Sequence, residues 1–336
     1  MKKLLYALLV IICWSCTNNS DTEKYQNKRN NIIQAKDKVK EIKISEDDVL
    51  IGSVAQPSII DDYLIISNPK TIDKLIYIFH KNNFSYLTGI TYKGQGPSEI
   101  ANMGHLATDE ANRMFYVSDH GKQVILTYHL DSILNNQEYM PKIKMKMNKA
   151  IFPNDYLYVN DTLCIGSIIE PIGDSDFKQS IAKWNMNTEE IKPMKYLHPK
   201  IEKKRFNFDV SMENDIYVEC YSRYDLMTIC NLDGELKYNI YGPNWTTEEK
   251  TPPHYYGDVI FCNNMIWASY SGGNYYNDEY HPTKFFVFDI NGNYIKTVEI
   301  GYEIINFCFD KENNRIIMNL NSEMQFAYLE LDGLVD

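Results

Sequence analysis

The sequence predicts an all-β protein, a six-bladed β-propeller whose ring is closed by an N-terminal strand (about residues 38–45) completing the last blade. Three observations predict it. One apolar strand signature recurs six times, at a period of about fifty residues, each copy behind an Asp/Asn-rich turn. Each copy runs on into further strand-like stretches separated by hairpin signals. After the last of these, Gly333, only Leu334, Val335 and Asp336 follow, so the sixth copy lacks its outermost strand, while an unassigned run, KVKEIKIS, stands before the first copy.

The bulk composition agrees. The chain has 336 residues, 44% hydrophobic and 13% aromatic, enough apolar content for a large core. Twenty-six Tyr and fourteen Phe favour strands over helices. A net charge of −11 repels phosphate backbones, which argues against nucleic-acid binding.

The first residues read as an address. MKK, then the apolar run LLYALLVII, form a secretory signal over residues 1–15, too short to span a bilayer. Cys16, directly after Ser15, resembles the acylated first residue of bacterial lipoproteins, which would carry palmitate or a similar chain. Thr17 matches the outer-membrane sorting pattern of such proteins. The polar stretch that follows, residues 16–36, is expected as a flexible tether between lipid and fold, with the propeller over 37–336. Ordinary secretion with cleavage nearby is the alternative.

The six copies read DDYLIIS from Asp61, EANRMFYVS from Glu110, NDYLYVN from Asn154, ENDIYVEC from Glu213, NNMIWAS from Asn263 and ENNRIIMNL from Glu312. Their strands start at Tyr63, Met114, Tyr156, Ile216, Met265 and Ile316. Asp233-Gly234, Asn291-Gly292 and Asp332-Gly333 mark two-residue hairpins, because both central positions of the favoured turn need positive φ. With an inner strand before each Asp/Asn turn, every copy becomes a four-stranded sheet, the unit of a propeller. A solenoid would need caps at both ends, and an orphan strand at one end fits a ring better.

Between copies one and two stands YKGQGPSEI, residues 92–100. It lacks the Gly-Lys-Ser/Thr of a phosphate loop and the third Gly of a dinucleotide fingerprint, and no helix follows. Gly94, Gly96 and Pro97 therefore read as a structural turn crossing between blades, the glycines allowing positive φ, Pro97 stiffening it and Glu99 accepting freed amides. Taken with its continuation to Asp131, the stretch resembles the NHL-type propeller repeat at Gly94, Gly96, Ile100, Leu106, Ala107, Asp109, Phe115, Tyr116, Val117, Asp119 and Val124. It also resembles the TolB-like six-bladed propeller lipoproteins of Gram-negative bacteria. That resemblance implies a fold and an envelope location, and it implies no catalytic residues.

Function is expected on the face where blade-to-blade connections and second-to-third strand loops emerge. Two long loops there, 242–257 and 272–283, hold Trp245, His254, Tyr255, Tyr256, Tyr275, Tyr276, Tyr280 and His281. Such rings suit a glycan, a peptide or an envelope protein, and equally suit packing of the loops onto the domain. Asp174 and Asp176 in a third loop are too few oxygens for a calcium site. Five cysteines beyond Cys16 show no C-x-x-C spacing, so free thiols in strands are expected, with no metal or cofactor. His105, near the second inner strand, is placed to face the central funnel. The reading is a binding or scaffolding module; a hydrolase or lyase with a metal at the inner-strand ends is the alternative, discriminated by whether acids and histidines converge in the funnel.

Overall fold

The computed structural model describes residues 21–44, 49–136, 139–173, 176–248, 253–274, 276 and 279–335. Three short strands open the described residues: β1 (Glu23–Tyr25), β2 (Ile32–Gln34) and β3 (Val39–Glu41). Six antiparallel sheets follow as blades. Blade one is β4 (Gln56–Ile60), β5 (Tyr63–Ser67), β6 (Lys74–His80) and β7 (Tyr86–Tyr92). Blade two is β8 (Met103–Asp109), β9 (Met114–Asp119), β10 (Val124–His129) and β11 (Lys142–Lys146), with a short helix α1 (Leu130–Asn135) before its last strand. Blade three is β12 (Phe152–Asn160), β13 (Leu163–Pro171), β14 (Phe177–Trp184) and β15 (Ile191–Pro193). Blade four is β16 (Phe206–Ser211), β17 (Ile216–Tyr221), β18 (Leu226–Asn231) and β19 (Leu236–Tyr241). Blade five is β20 (Pro253–Cys262), β21 (Met265–Asn274), β22 (Lys284–Asp289) and β23 (Tyr294–Glu299). Blade six is β24 (Ile304–Asp310), β25 (Arg315–Leu320) and β26 (Phe326–Glu330), completed by β3. The expected six-bladed propeller is the fold.

The second strands start at Tyr63, Met114, Leu163, Ile216, Met265 and Arg315, spaced 51, 49, 53, 49 and 50 residues apart. The third of these corrects the sequence reading. NDYLYVN belongs to the inner strand β12, and the segment taken for a long loop in blade three holds the second strand, β13. The alternation of Tyr156 and Tyr158 is common to both strand types, so period alone does not separate them.

The Asp/Asn turns have a direct cause. Asp61, Arg113, Asp215, Asn263, Asn264 and Asn314 adopt left-handed φ of 46–60° at the ends of the inner strands, a region that Asn and Asp tolerate best. Asp109 and Asp310 close two of these turns by accepting from Asn112 and Asn313. Apolar faces then stack blade on blade. Ile65, Ile76 and Ile78 of blade one pack with Leu106, Phe115 and Val117 of blade two, and Trp267 and Phe285 of blade five with Phe307 and Met318 of blade six. The core is thus a set of sheet-to-sheet interfaces arranged round an axis.

Closure takes the predicted form. β3 runs antiparallel to β26, with Val39 opposite Leu329 and Glu41 opposite Ala327. The Ile42 amide donates to the Phe326 carbonyl at 2.8 Å.

The tether expected over 16–36 needs correction for its described part. From Thr22 the chain forms a belt: β1 adds in parallel to the outer edge of β19, and β2 to that of β23. Between them Arg29 enters a slot between blades four and five, where its guanidinium donates to Asp225 at 2.8 Å and faces the Phe286 ring at 4.7 Å. Polar composition does not reveal this, because strand addition to an open edge uses backbone groups. Residues 1–20, with Cys16 and the signal segment, lie outside the described residues.

The Gly-rich crossing also departs from expectation in detail. Gly94 and Gly96 do not have positive φ. They are required by close approach, since a Cβ at Gly94 would lie 2.0 Å from the Glu99 carboxylate and one at Gly96 3.0 Å from it. Glu99 accepts the Gly96 amide at 2.7 Å, and Lys122 ties the loop by donating to the Gly96 and Glu99 carbonyls. The buried carboxylate of Asp119 accepts amides of Ala101, Asn102, Gly121 and Lys122, fixing the entry to β8. Cys164, Cys220, Cys230, Cys262 and Cys308 are free thiols, each on a strand.

Candidate functional site

The aromatic and histidine residues expected on one rim do not form one cluster among the described residues. β20 begins at Pro253 and β21 runs to Asn274, so the strands absorb much of both loops. Tyr256 is fully buried in the interface of blades four and five, and Tyr255 is buried beside it with its hydroxyl donating to the Asn244 carbonyl. Trp245 packs on blade four, its ring 4.8 Å from Tyr241 and 5.6 Å from His198. His254, Tyr280 and His281 do come together, with ring centroids 4.2 Å apart for the Tyr280–His281 pair and 6.4 Å for His254–Tyr280. Burial, aided by His281, holds the His254 imidazole below its ordinary range. Tyr276 is 73% exposed. Tyr275 lies outside the described residues, as does Asp174, while Asp176 is engaged by Lys203 and Arg205.

A different constellation lies on the axis. The inner strands enclose a cavity of about 630 Å³ whose lining includes Gln56, His105, Asp155, Asn207, Asp258 and Asn306, one residue from each blade. In five blades that residue stands four positions before the last residue of the inner strand; in blade three a bulge in β12 adds one. The polar ring is therefore a consequence of register, each strand presenting the same pleat to the axis. Deeper in, the channel continues as a space of about 310 Å³ lined by Leu157, Tyr158, Phe208 and Phe309 among others. No Lys or Arg lines either part among the described residues.

His105 faces the funnel as expected. Its Nε2 lies 2.9 Å from the Tyr156 carbonyl and its Nδ1 3.4 Å from the Asp155 carboxylate. The Tyr156 carbonyl can only accept, so Nε2 is the nitrogen that donates to it. Asp209 reaches from blade four to blade five, accepting the Phe261 amide at 2.7 Å, and burial pushes its carboxyl up to about 6. Asp258 is pushed up to about 7, by burial first and then by the negative charge of Asp155. The channel thus combines acceptors, a proton-holding carboxyl and an imidazole above an aromatic floor. Among the described residues no three His, Cys, Asp or Glu side chains form a metal-holding group.

The Asp258 carboxyl has a consequence for stability. The folded state keeps a proton that the unfolded chain has released above its ordinary value of 3.8. The contribution of this group to stability is therefore full below about pH 4 and declines as pH rises towards 7. Asp258→Asn cannot ionise, so relative to the parent protein it is expected to gain about 1–2 kcal/mol between pH 4 and pH 8, discounted for an open channel. Urea unfolding across that range checks this; parallel curves would remove the buried-carboxyl assignment.

The ring escaped sequence reading because its members share polarity rather than identity. The available signal was position: a polar residue recurring four before the end of each inner strand.

Comparison with known proteins agrees with the architecture. A family model, DUF5128, described as a 6-bladed beta-propeller, matches residues 22–163, starting where the belt starts. None of the curated proteins matches the chain. Among solved structures, a member of the DUF4221 family from Bacteroides vulgatus superposes with a TM-score of 0.62 at 13% identity, covering 90% of this chain and 98% of that one. A luciferin-regenerating enzyme gives 0.57 at 10% identity, covering 88% and 95%. A gluconolactonase from Xanthomonas campestris gives 0.50 at 13% identity, covering 80% and 82%. At such identities the likeness is one of fold alone.

Proposed function

We propose that this six-bladed propeller is a lipid-anchored binding or scaffolding module of the bacterial cell envelope, akin to the TolB-like and NHL-like lipoproteins, that takes its ligand at the mouth of the central channel. The observation that carries the binding reading is the six-membered polar ring around the 630 Å³ cavity, rich in acceptors and free of Lys and Arg among the described residues. Such a lining suits a neutral or cationic ligand with many donors, a glycan or a peptide, and disfavours phosphates and nucleic acid. The address rests on the leader and Cys16, with Thr17 pointing to the outer membrane, so the membrane is a partner through the lipid.

The test uses the full chain carrying Cys16→Ala, captured from envelope extract and probed on a glycan array. The double variant His105→Ala, Asp258→Asn is expected to lose at least about tenfold in affinity, whereas Trp245→Ala, Tyr276→Ala leaves it unchanged. The reverse pattern would move the ligand to the rim and end the channel reading.

A propeller-funnel hydrolase or lyase is the second reading, and one observation favours it. Asp258, holding a proton up to about 7 beside the negative Asp155, has the character of a general acid or base. Turnover of a lactone or polysaccharide panel, abolished by Asp258→Asn, would establish that reading over simple binding.

A further inference from the structure

We propose that blade four, with the crossing segment Lys192–Lys203, is the face this protein turns to an anionic phospholipid surface. The proposal rests on the lipid-anchored reading of Cys16. The first belt residue hydrogen-bonded to a blade is Thr22, whose carbonyl accepts the Asn239 amide at 2.7 Å. Only Thr17 to Asp21 separate it from Cys16, a stretch that reaches about 20 Å when fully extended. The root of the anchor is therefore fixed to the outer edge of one blade, and that edge is held close to the headgroups.

The surface beside that root differs from the rest of the chain. In a protein of net charge −11, Lys192–Lys203 holds four lysines and one acid, Glu202. Lys195 and Lys200 are exposed and form no ion pair among the described residues, and Leu197 between them is 67% exposed. The segment is held rigidly to the anchor root. Tyr196 bonds Asn239, and His198 bonds the Tyr241 hydroxyl at 3.1 Å. The same two residues, Asn239 and Tyr241, donate to the Glu23 carboxylate on β1. Lysines flanking a protruding leucine, next to a lipid attachment, form a surface that anionic headgroups attract and an apolar side chain can enter.

The test couples the mature chain through the Cys16 thiol to a maleimide phospholipid, in vesicles of phosphatidylcholine with 30% phosphatidylglycerol or of phosphatidylcholine alone. Hydrogen exchange is expected to slow about tenfold over 192–203 and β1 in the anionic vesicles, with blade one unchanged. Salt at 0.5 M, or the variant Lys195→Glu, Lys200→Glu, should abolish the protection while the unfolding midpoint stays the same. Protection spread evenly, centred on another blade, produced by contact with a second copy, or absent altogether overturns the proposal. The mass of Cys16 in protein taken from cells is read separately: an unmodified thiol ends the anchor reading, while the exchange pattern still decides the seating.

Discussion

Replacing Arg29 with Ala is expected to destabilise the fold by about 3–5 kcal/mol, the cost of leaving a buried carboxylate without its cation. The Arg29 and Asp225 side chains are 5% and 0% exposed, and the guanidinium lies within 4.7–5.9 Å of the Phe286, Tyr270, Tyr256 and Phe288 ring centroids. The Asp225 carboxylate also accepts the Asn244 amide at 3.1 Å, a bond that cannot balance its charge. Gly242 presses so closely that a Cβ there would lie 2.1 Å from the carboxylate, so relaxation is restricted. Arg29→Lys should recover part of the loss, since an ammonium restores charge without the planar fork that stacks on the rings. Urea midpoints for Arg29→Ala, Asp225→Ala and the double variant measure the coupling. A loss below about 1 kcal/mol would mean that the belt rests loosely on the blades, as a surface ion pair would.

The second large effect belongs to the closure. Asp310→Ala is expected to cost about 3–5 kcal/mol, because it leaves the buried Arg315 without its carboxylate and Lys81 with Glu312 alone at the junction of blades six and one. The Asp310 carboxylate accepts Arg315 Nε at 2.8 Å and lies 3.7 Å from Lys81 Nζ. Arg315 in turn donates to the Lys81 carbonyl at 2.6 Å, and Lys81 to Glu312 at 2.5 Å. These bonds join β24 and β25 to the end of β6, so exchange in the variant should rise first in β3, β4 and β24. Asp310→Asn keeps an acceptor and should lose less. Uniform exchange across all six blades would show that the junction is no weaker than the other interfaces.

The architecture was legible because the fold repeats itself. Five of the inner-strand turns hold left-handed residues, and each brought a polar signature into the chain. The closing strand was legible from a missing partner, the unfilled edge beside Phe326–Glu330. What stayed hidden is what uses backbone or register rather than side-chain type. The ladders that seat β1 and β2 are made by backbone groups, so EKY and IIQ look no different from a linker. Tyr255 and Tyr256 looked like surface rings, because β20 starts earlier than the Pro-rich run TPPHYY suggests. The channel ring mixes Gln, His, Asp and Asn, and only alignment of the inner strands by their last residue brings it into view.

The belt imposes an order of events on biogenesis. Residues 22–42 are synthesised first, yet their partners, β19, β23 and β26, come more than two hundred residues later. A chain made from its N-terminus must keep these segments unpaired until nearly all of it has emerged, so the native topology is completed only once synthesis ends. Chaperone binding to the waiting segment and slow, high-contact-order assembly are the expected result. A circular permutant that begins after blade three would shorten that wait.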